Sequence, residues 1–394
     1  MDVVYVVFDQ LPTSRDGGLV ATYASFVREF AGELEVKLVS AFGCEPTDID
    51  AFEGLEVIEL TSVRIDNRFP EALGHLRAGR LGRFAYALRS GLLFFLLRPL
   101  LRRRSRRLLA GKPVIASSPA AAMFLDARVR FVLEVHSSYE FFWGDNPTGR
   151  LQTALMAPPQ LTLFRNASDA RRAEGRFRAG YLYNGFDDRG LPPLPAEPAP
   201  KPPRALFVGR LVESKDPAML LRCAALAAER VPGFALDVYG DGPLRGALER
   251  QIVHMGLQDV VSLKGFTADK AVYRDYAVLW LTSTNEGFGL VIIEAAANGV
   301  PTVSTEWGPA VHEVIADGQT GHVVRTDEEL VERTAELLGD PKALAAFSRR
   351  ARERFEGRFT AERHKRAWEE VLSREFGLLL GAGGGDGGSQ GEPT

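Results

Sequence analysis

Thr284-Asn285-Glu286-Gly287-Phe288-Gly289-Leu290-Val291-Ile292-Ile293-Glu294-Ala295 places two carboxylates eight residues apart, one before a Gly-Phe-Gly turn and one inside an apolar helix. The first turn of a helix leaves backbone N–H groups unpartnered, and its aligned peptide dipoles concentrate positive charge there. Such an end suits a bound phosphate. Gly287 and Gly289 permit positive φ and close approach of the backbone to a ligand. Glu286, in the approach to the helix, and Glu294, on its flank, are placed to accept hydrogen bonds from ligand hydroxyls. A carboxylate between Ile293 and Ala295 is costly unless it has partners.

On both sides of this segment β-rich runs alternate with helical patterns, the signature of βαβ units and parallel sheets. The expected strands of the first half are Val3–Phe8, Glu35–Val39, Glu56–Leu60, Pro113–Ser117, Arg130–Val135 and Ala179–Tyr183. Those of the second are Ala205–Gly209, Ala235–Gly240, Val260–Gly265, Ala277–Ser283 and Pro301–Ser304. Between the halves, Leu191–Pro203 holds seven prolines in thirteen residues, which favours an extended, semi-rigid connector. The chain therefore reads as an α/β protein of two doubly wound, Rossmann-like domains facing across a cleft. The expected divisions are a first domain over 1–190, a linker over 191–203, a second domain over 204–358 and a crossing helix over 359–378. The glycine-rich tail, 379–394, is expected to be disordered.

A length of 394 residues exceeds one ordinary core, in keeping with two domains. A net charge of −3 gives no global attraction to nucleic acid. Cys44 and Cys223 sit in different halves and imply neither a disulfide framework nor a metal cluster. The start, Met1-Asp2 leading directly into Val3–Phe8, lacks the pattern of a signal peptide, so a cytoplasmic location is expected.

Phe207-Val208-Gly209-Arg210-Leu211-Val212-Glu213-Ser214-Lys215-Asp216-Pro217 follows a strand and opens a helix, with Asp216 as cap and Pro217 at the first helical position. Arg210 and Lys215 are left facing the expected cleft, where two cations neutralise a departing diphosphate. The simplest arrangement puts these cations on one wall and the two acids on the opposite one. Gly240-Asp241-Gly242-Pro243 and Lys264-Gly265-Phe266 are further turns at strand ends of the same sheet. In the first half, Gly17 and Gly18 precede the amphipathic run Leu19–Phe30, and His136 follows a buried strand. Tyr139, Glu140 and Asp145 lie in the loop beyond and are candidates to meet a second substrate.

Gly209-Arg210, Lys215, Glu286-Gly287-Phe288-Gly289 and Glu294 resemble, in order and separation, the motifs of family 4 retaining glycosyltransferases with the two-domain GT-B fold. The resemblance is most specific over about residues 205–325. It implies that Arg210 and Lys215 bind the diphosphate of a UDP-sugar, and that Glu286 and Glu294 hold sugar and ribose hydroxyls. It further implies donor-binding positions at Gly17, Gly18, Gly209, Gly240, Gly265, Phe266, Gly287, Phe288, Gly289 and Leu290, and places His136 near the reacting sugar. No cofactor beyond the UDP-sugar co-substrate is implied. Thr282-Ser283-Thr284 replaces the family's commoner proline-serine pair, and Asp216 a frequent glycine. Glu306-Trp307-Gly308-Pro309 is similar to a stretch of bacterial enzymes that glucosylate poly(polyol phosphate) wall teichoic acids.

The expected activity is retaining, metal-independent transfer of a hexosyl group to a hydroxyl of a cell-envelope or polysaccharide acceptor, lipid-linked or a polyol-phosphate polymer. A nucleotide-sugar epimerase of similar build and a non-catalytic nucleotide-sugar-binding partner are the alternatives. Asp48-Ile49-Asp50 precedes a strand instead of ending one, so no metal site is expected. Neither half has G-x-G-x-x-G after its first strand, which disfavours a nicotinamide enzyme. Finally, Arg77–Arg107 holds ten arginines and no Asp or Glu around Gly91–Leu97, an apolar run far too short to span a bilayer. It reads either as an in-plane helix on an anionic membrane surface or as a core helix with a solvated basic flank. Stacking aromatics are not interleaved with the arginines, which disfavours nucleic acid.

Overall fold

The computed structural model describes residues 1–12, 18–43, 49–64, 81–144, 147–194 and 201–380. Gly17, Cys44, Asp48, Arg77, Arg80, Asp145, part of the proline-rich linker and the glycine-rich tail beyond residue 380 lie outside them. The first sheet contains β1 (Asp2–Phe8), β2 (Leu34–Ser40), β3 (Val57–Glu59), β4 (Val114–Ala116), β5 (Val132–Val135), β6 (Leu161–Phe164) and β7 (Ala179–Tyr181). The second contains β8 (Arg204–Val208), β9 (Ala235–Tyr239), β10 (Val261–Gly265), β11 (Val278–Leu281), β12 (Thr302–Thr305) and β13 (Gly321–Val324). The helices that shape the cleft are α1 (Gly18–Glu29), α2 (Leu81–Leu109), α3 (Ala167–Ala173), α4 (Pro217–Arg230), α5 (Leu290–Ala297) and α6 (Ala361–Phe376).

Both sheets are parallel, with strand orders β3-β2-β1-β4-β5-β6-β7 and β10-β9-β8-β11-β12-β13. Strands covered by helices on both faces need apolar residues at successive positions, and β1 buries its last five residues in a row. Each sheet reverses its winding once, between β1 and β4 and between β8 and β11. Loops leaving the carboxyl ends of such a pair diverge and open a crevice. The anticipated α/β architecture is therefore present. Two strands, β6 and β13, join those anticipated from sequence. Each is four residues long.

The last helix returns to the first sheet. Thr360 caps α6 by accepting from Arg363 N–H, and Phe186 bridges to Thr360 just before it. Trp368 is fully buried in the first sheet's core, edge-on to Phe26 at 5.2 Å. His364 and Glu29 form a buried pair at 2.6 Å between α6 and α1. Removing a buried indole leaves a cavity that the packed surroundings refill only partly. Trp368→Ala is expected to lower stability by about 3–5 kcal/mol, read as a shift in the urea midpoint. Arg366→Ala, on the exposed face, should stay within about 0.5 kcal/mol.

Candidate active site

The loops after β8 and β11 flank the reversal point of the second sheet, and they carry Lys215 and Glu286. They are laced together: Thr284 N–H donates to Ser214 O at 2.9 Å and the Thr282 hydroxyl to Lys215 O at 2.7 Å. Asp216 sits at φ +39, in the left-handed region that favours glycine, which accounts for the glycine common at this position in the family it resembles. Its carboxylate offsets that strain by capping α4, accepting from Met219 N–H at 3.0 Å.

Lys215 and Glu286 do not stand on opposite walls as the sequence reading placed them. Their side chains form an ion pair, and the Ser283 hydroxyl donates to the same carboxylate oxygen at 2.6 Å. Glu294 is likewise engaged: Lys270 Nζ lies 2.8 and 2.9 Å from its two oxygens, and Tyr273 OH donates at 2.6 Å. Burial and the adjacent Glu294 charge push the Tyr273 phenol well above its ordinary pKa. The reason is common to both pairs: a half-buried charge left alone loses solvation, so in the unliganded protein each acid takes the nearest donor.

Gly209, Arg210, Gly240, Phe266 and Lys270 line a single cleft of about 590 Å³. Gly265 ends β10 immediately beside it. Phe266 is 83% exposed, a free aromatic face at the cleft's edge. Lys270 links this cleft to Glu294, and Lys215 Cε lies 3.8 Å from where a Cβ on Gly209 would stand. Of the positions inferred in the second domain, Gly209, Arg210, Gly240 and Phe266 line this cleft, whereas Lys215, Glu286, Gly287, Gly289, Leu290 and Glu294 are not among its lining residues. The Phe288 ring turns into the core between Tyr183 and Phe359, at 5.9 and 5.8 Å, so only its backbone is left for a ligand. Gly289 opens α5 at φ +81, where a Cβ would be strained and would also meet Ile292 at 2.8 Å.

The first domain meets the second at the Gly-Phe-Gly turn and the start of α5. A Cβ on Gly18 would stand 3.4 Å from Leu290 Cδ1, and one on Gly287 would lie 1.9 Å from the His136 carbonyl oxygen. Only glycine fits at position 287. Asn166 Nδ2 donates to Gly287 O at 3.4 Å. Nearby, Glu313 of the second domain accepts from Ala167 N–H at 2.8 Å, Ser168 N–H at 2.7 Å, the Ser168 hydroxyl and Tyr183 OH at 2.9 Å. Burial opposes the Glu313 charge, but these donors outweigh it and hold the carboxyl below its ordinary pKa. Tyr139 packs against Trp143 at 5.4 Å, and Glu140 pairs with Arg172.

Behind His136 lies a group the sequence reading missed. Glu134 and Arg165, both fully buried, form an ion pair, and Arg165 Nη2 is 3.3 Å from His136 Nε2. The same Nε2 lies 3.7 Å from Glu134 Oε2, so it accepts from Arg165 in one tautomer and donates to Glu134 in the other. Burial and the Arg165 charge also lower the His136 pKa, which keeps the ring neutral near pH 7. Burial alone would raise the Glu134 carboxyl, but Arg165 and His136 prevail and hold it at about 2, against an ordinary 4.5. No spacing rule reveals this pair, because Arg165 follows the unanticipated β6.

Residues 195–354 match the family model described as "Glycosyl transferases group 1". A peptide N-acetylglucosaminyltransferase GtfA subunit from Streptococcus gordonii, which uses UDP-N-acetylglucosamine, is 31% identical over 154 residues, 39% of this chain and 30% of that protein. The chain spans less than half the length of the curated relatives it matches first. Among solved structures, S. aureus TarM in complex with fondaparinux, alpha-GlcNAc-glycerol and UDP superposes with a TM-score of 0.73 at 12% identity, covering 94% of this chain and 100% of that one. Anabaena HepE in complex with UDP-glucose gives 0.70 at 21% identity, covering 95% and 100%.

A folded-state pKa below the unfolded one makes Glu134 stabilising above about pH 4.5, and that contribution is lost as pH falls toward about 2. Arg165→Met strands the buried carboxylate and is expected to cost about 3–5 kcal/mol in urea unfolding at pH 7. Adding Glu134→Gln should recover most of that loss and flatten the acid limb. The second domain carries the glycosyl transferases group 1 match, and the whole chain has the two-domain GT-B fold of TarM and HepE.

Proposed function

We propose that this chain transfers a hexosyl group from a UDP-sugar to a hydroxyl of a cell-envelope or polysaccharide acceptor, with retention at the anomeric carbon and without a metal ion. The observation that carries the reading is the junction of the Lys215 and Glu286 loops at the reversal point of the second sheet, directly beneath His136 of the first. A diphosphate entering there meets Arg210, Lys215 and the N-terminal end of α5. Its charge competes for the Lys215 ammonium, and Glu286, relieved of that partner, accepts from the sugar hydroxyls. Glu294 exchanges Lys270 or Tyr273 for ribose hydroxyls in the same way. Phe266 offers an apolar face to the base.

As the bond between the anomeric carbon and the diphosphate breaks, negative charge grows on the leaving oxygen. Fixed cations and backbone N–H groups stabilise that charge. The same oxygen takes the proton of the acceptor hydroxyl, which attacks from the face the diphosphate leaves. His136, its pKa lowered by burial and Arg165, hydrogen-bonds to the sugar and does not act as the base. The acceptor class rests on the Glu306–Pro309 stretch, whose Trp307 packs under the Gly-Phe-Gly turn, and on the glycerol-linked sugar in the TarM complex.

Removing one preorganised donor costs about 3–4 kcal/mol of transition-state stabilisation. Lys215→Ala and Glu286→Ala are therefore each expected to reduce acceptor-dependent UDP release by about a hundredfold or more, with unchanged circular dichroism. Wild-type rates in either variant would refute the assignment. EDTA is expected to leave the rate unchanged. Proton NMR of UDP-sugar incubated without acceptor should find no epimer; conversion there would favour the epimerase.

A further inference from the structure

Over residues 92–109, helix α2 buries one side and leaves the other bare. Leu101 and Ser105 are fully buried, and Leu93, Phe94 and Leu97 rest on the first domain's core, with Phe94 edge-on to Phe124 at 4.7 Å. On the opposite side Leu92, Phe95, Leu96 and Leu100 are 60%, 41%, 65% and 43% exposed. Leu92, Leu96 and Leu100 fall on one line of the helix surface, about 12 Å long, at ~100° and ~1.5 Å per residue. Arg103 and Arg107 continue that line, with Arg106 beside them, all exposed. None of these three pairs with a carboxylate among the described residues, and no Asp or Glu lies between Arg77 and Arg107. Arg98 is different, being tied down by Met123 O at 3.2 Å and by Leu155 O.

A contiguous apolar strip on one helix, rimmed by unpaired cations of one sign, marks an interaction surface. No described helix is long and apolar enough to cross a membrane. We propose that this face of α2 docks on an anionic lipid surface, with the three leucines and Phe95 in the acyl boundary and Arg103, Arg106 and Arg107 among the headgroups. Charge complementarity selects this occupant. A second copy docked through its own α2 would meet arginines and leucines with no acid, since α2 has none. As the crossover from β3 to β4, α2 runs back against the strands, so its apolar half lies nearer the edge where the cleft opens.

The test is co-sedimentation of the full chain with phosphatidylglycerol–phosphatidylcholine vesicles and with phosphatidylcholine vesicles alone. Binding to the mixed vesicles, weakened by salt, is expected. The triple variant Arg103→Glu, Arg106→Glu, Arg107→Glu should lose about a hundredfold or more in partitioning, and Leu92→Ser with Leu96→Ser should also release the protein. Both should keep wild-type thermal midpoints. No binding, equal binding to uncharged vesicles, or unchanged binding in both variants would overturn the proposal. So would concentration-dependent dimerisation abolished by both variants in a protein that ignores vesicles. The readout uses no sugar donor, so its failure is distinguishable from failure of the transferase reading.

Discussion

The whole site depends on one backbone contact. Gly287 lies so close under the His136 carbonyl that any side chain there would collide with it. That contact brings the strand end carrying His136 over the loop carrying Glu286, two residues that belong to separate sheets. It would be a weak joint alone. Asn166 supports it from the side, and Glu313 reaches over from the second domain to take the first N–H groups of α3. These N–H groups need acceptors in any case, so the seam between domains uses bonding capacity that a helix start leaves open. Helix α6 then anchors the end of the chain in the first core through Trp368.

Within this frame the charged groups are held in reserve as pairs. Lys215 with Glu286, and Lys270 with Glu294, each satisfy a carboxylate that burial would otherwise penalise. A ligand that supplies phosphate oxygens and hydroxyls can exchange for both partners at once. The desolvation cost is then carried in the unliganded fold and need not be met again on binding. This is preorganisation of charge, in which the dipoles and cations are already placed when the reacting oxygen becomes negative.

Much of this was legible in the sequence. Strand–helix alternation revealed both doubly wound sheets, because a buried parallel strand needs an apolar run and a βα turn needs glycine or a cap. Gly209, Arg210, Gly240 and Phe266 were traceable to one cleft because all follow strand ends of one sheet. The partners were not legible. Lys270 stands 24 residues from Glu294 with no local pattern joining them, and Arg165 and Glu134 meet only through strand pairing of β5 and β6. Overlooking four-residue β6 hid Arg165, Asn166 and Ser168 together. Glycine neighbours mark a backbone that approaches a ligand, and they say nothing of where the Phe288 ring packs.

The buried Glu134–Arg165 pair is hard to explain by stability, since a well-packed apolar pair is often as good or better. Its position supplies the reason. Arg165 and Glu134 both face His136 Nε2, at 3.3 and 3.7 Å, and a guanidinium cannot give up its proton. Burial and the Arg165 charge hold the imidazole pKa below its ordinary value. An apolar replacement would preserve packing but remove the cation that opposes protonation of the ring. The pair therefore acts on His136 as much as on the core around it.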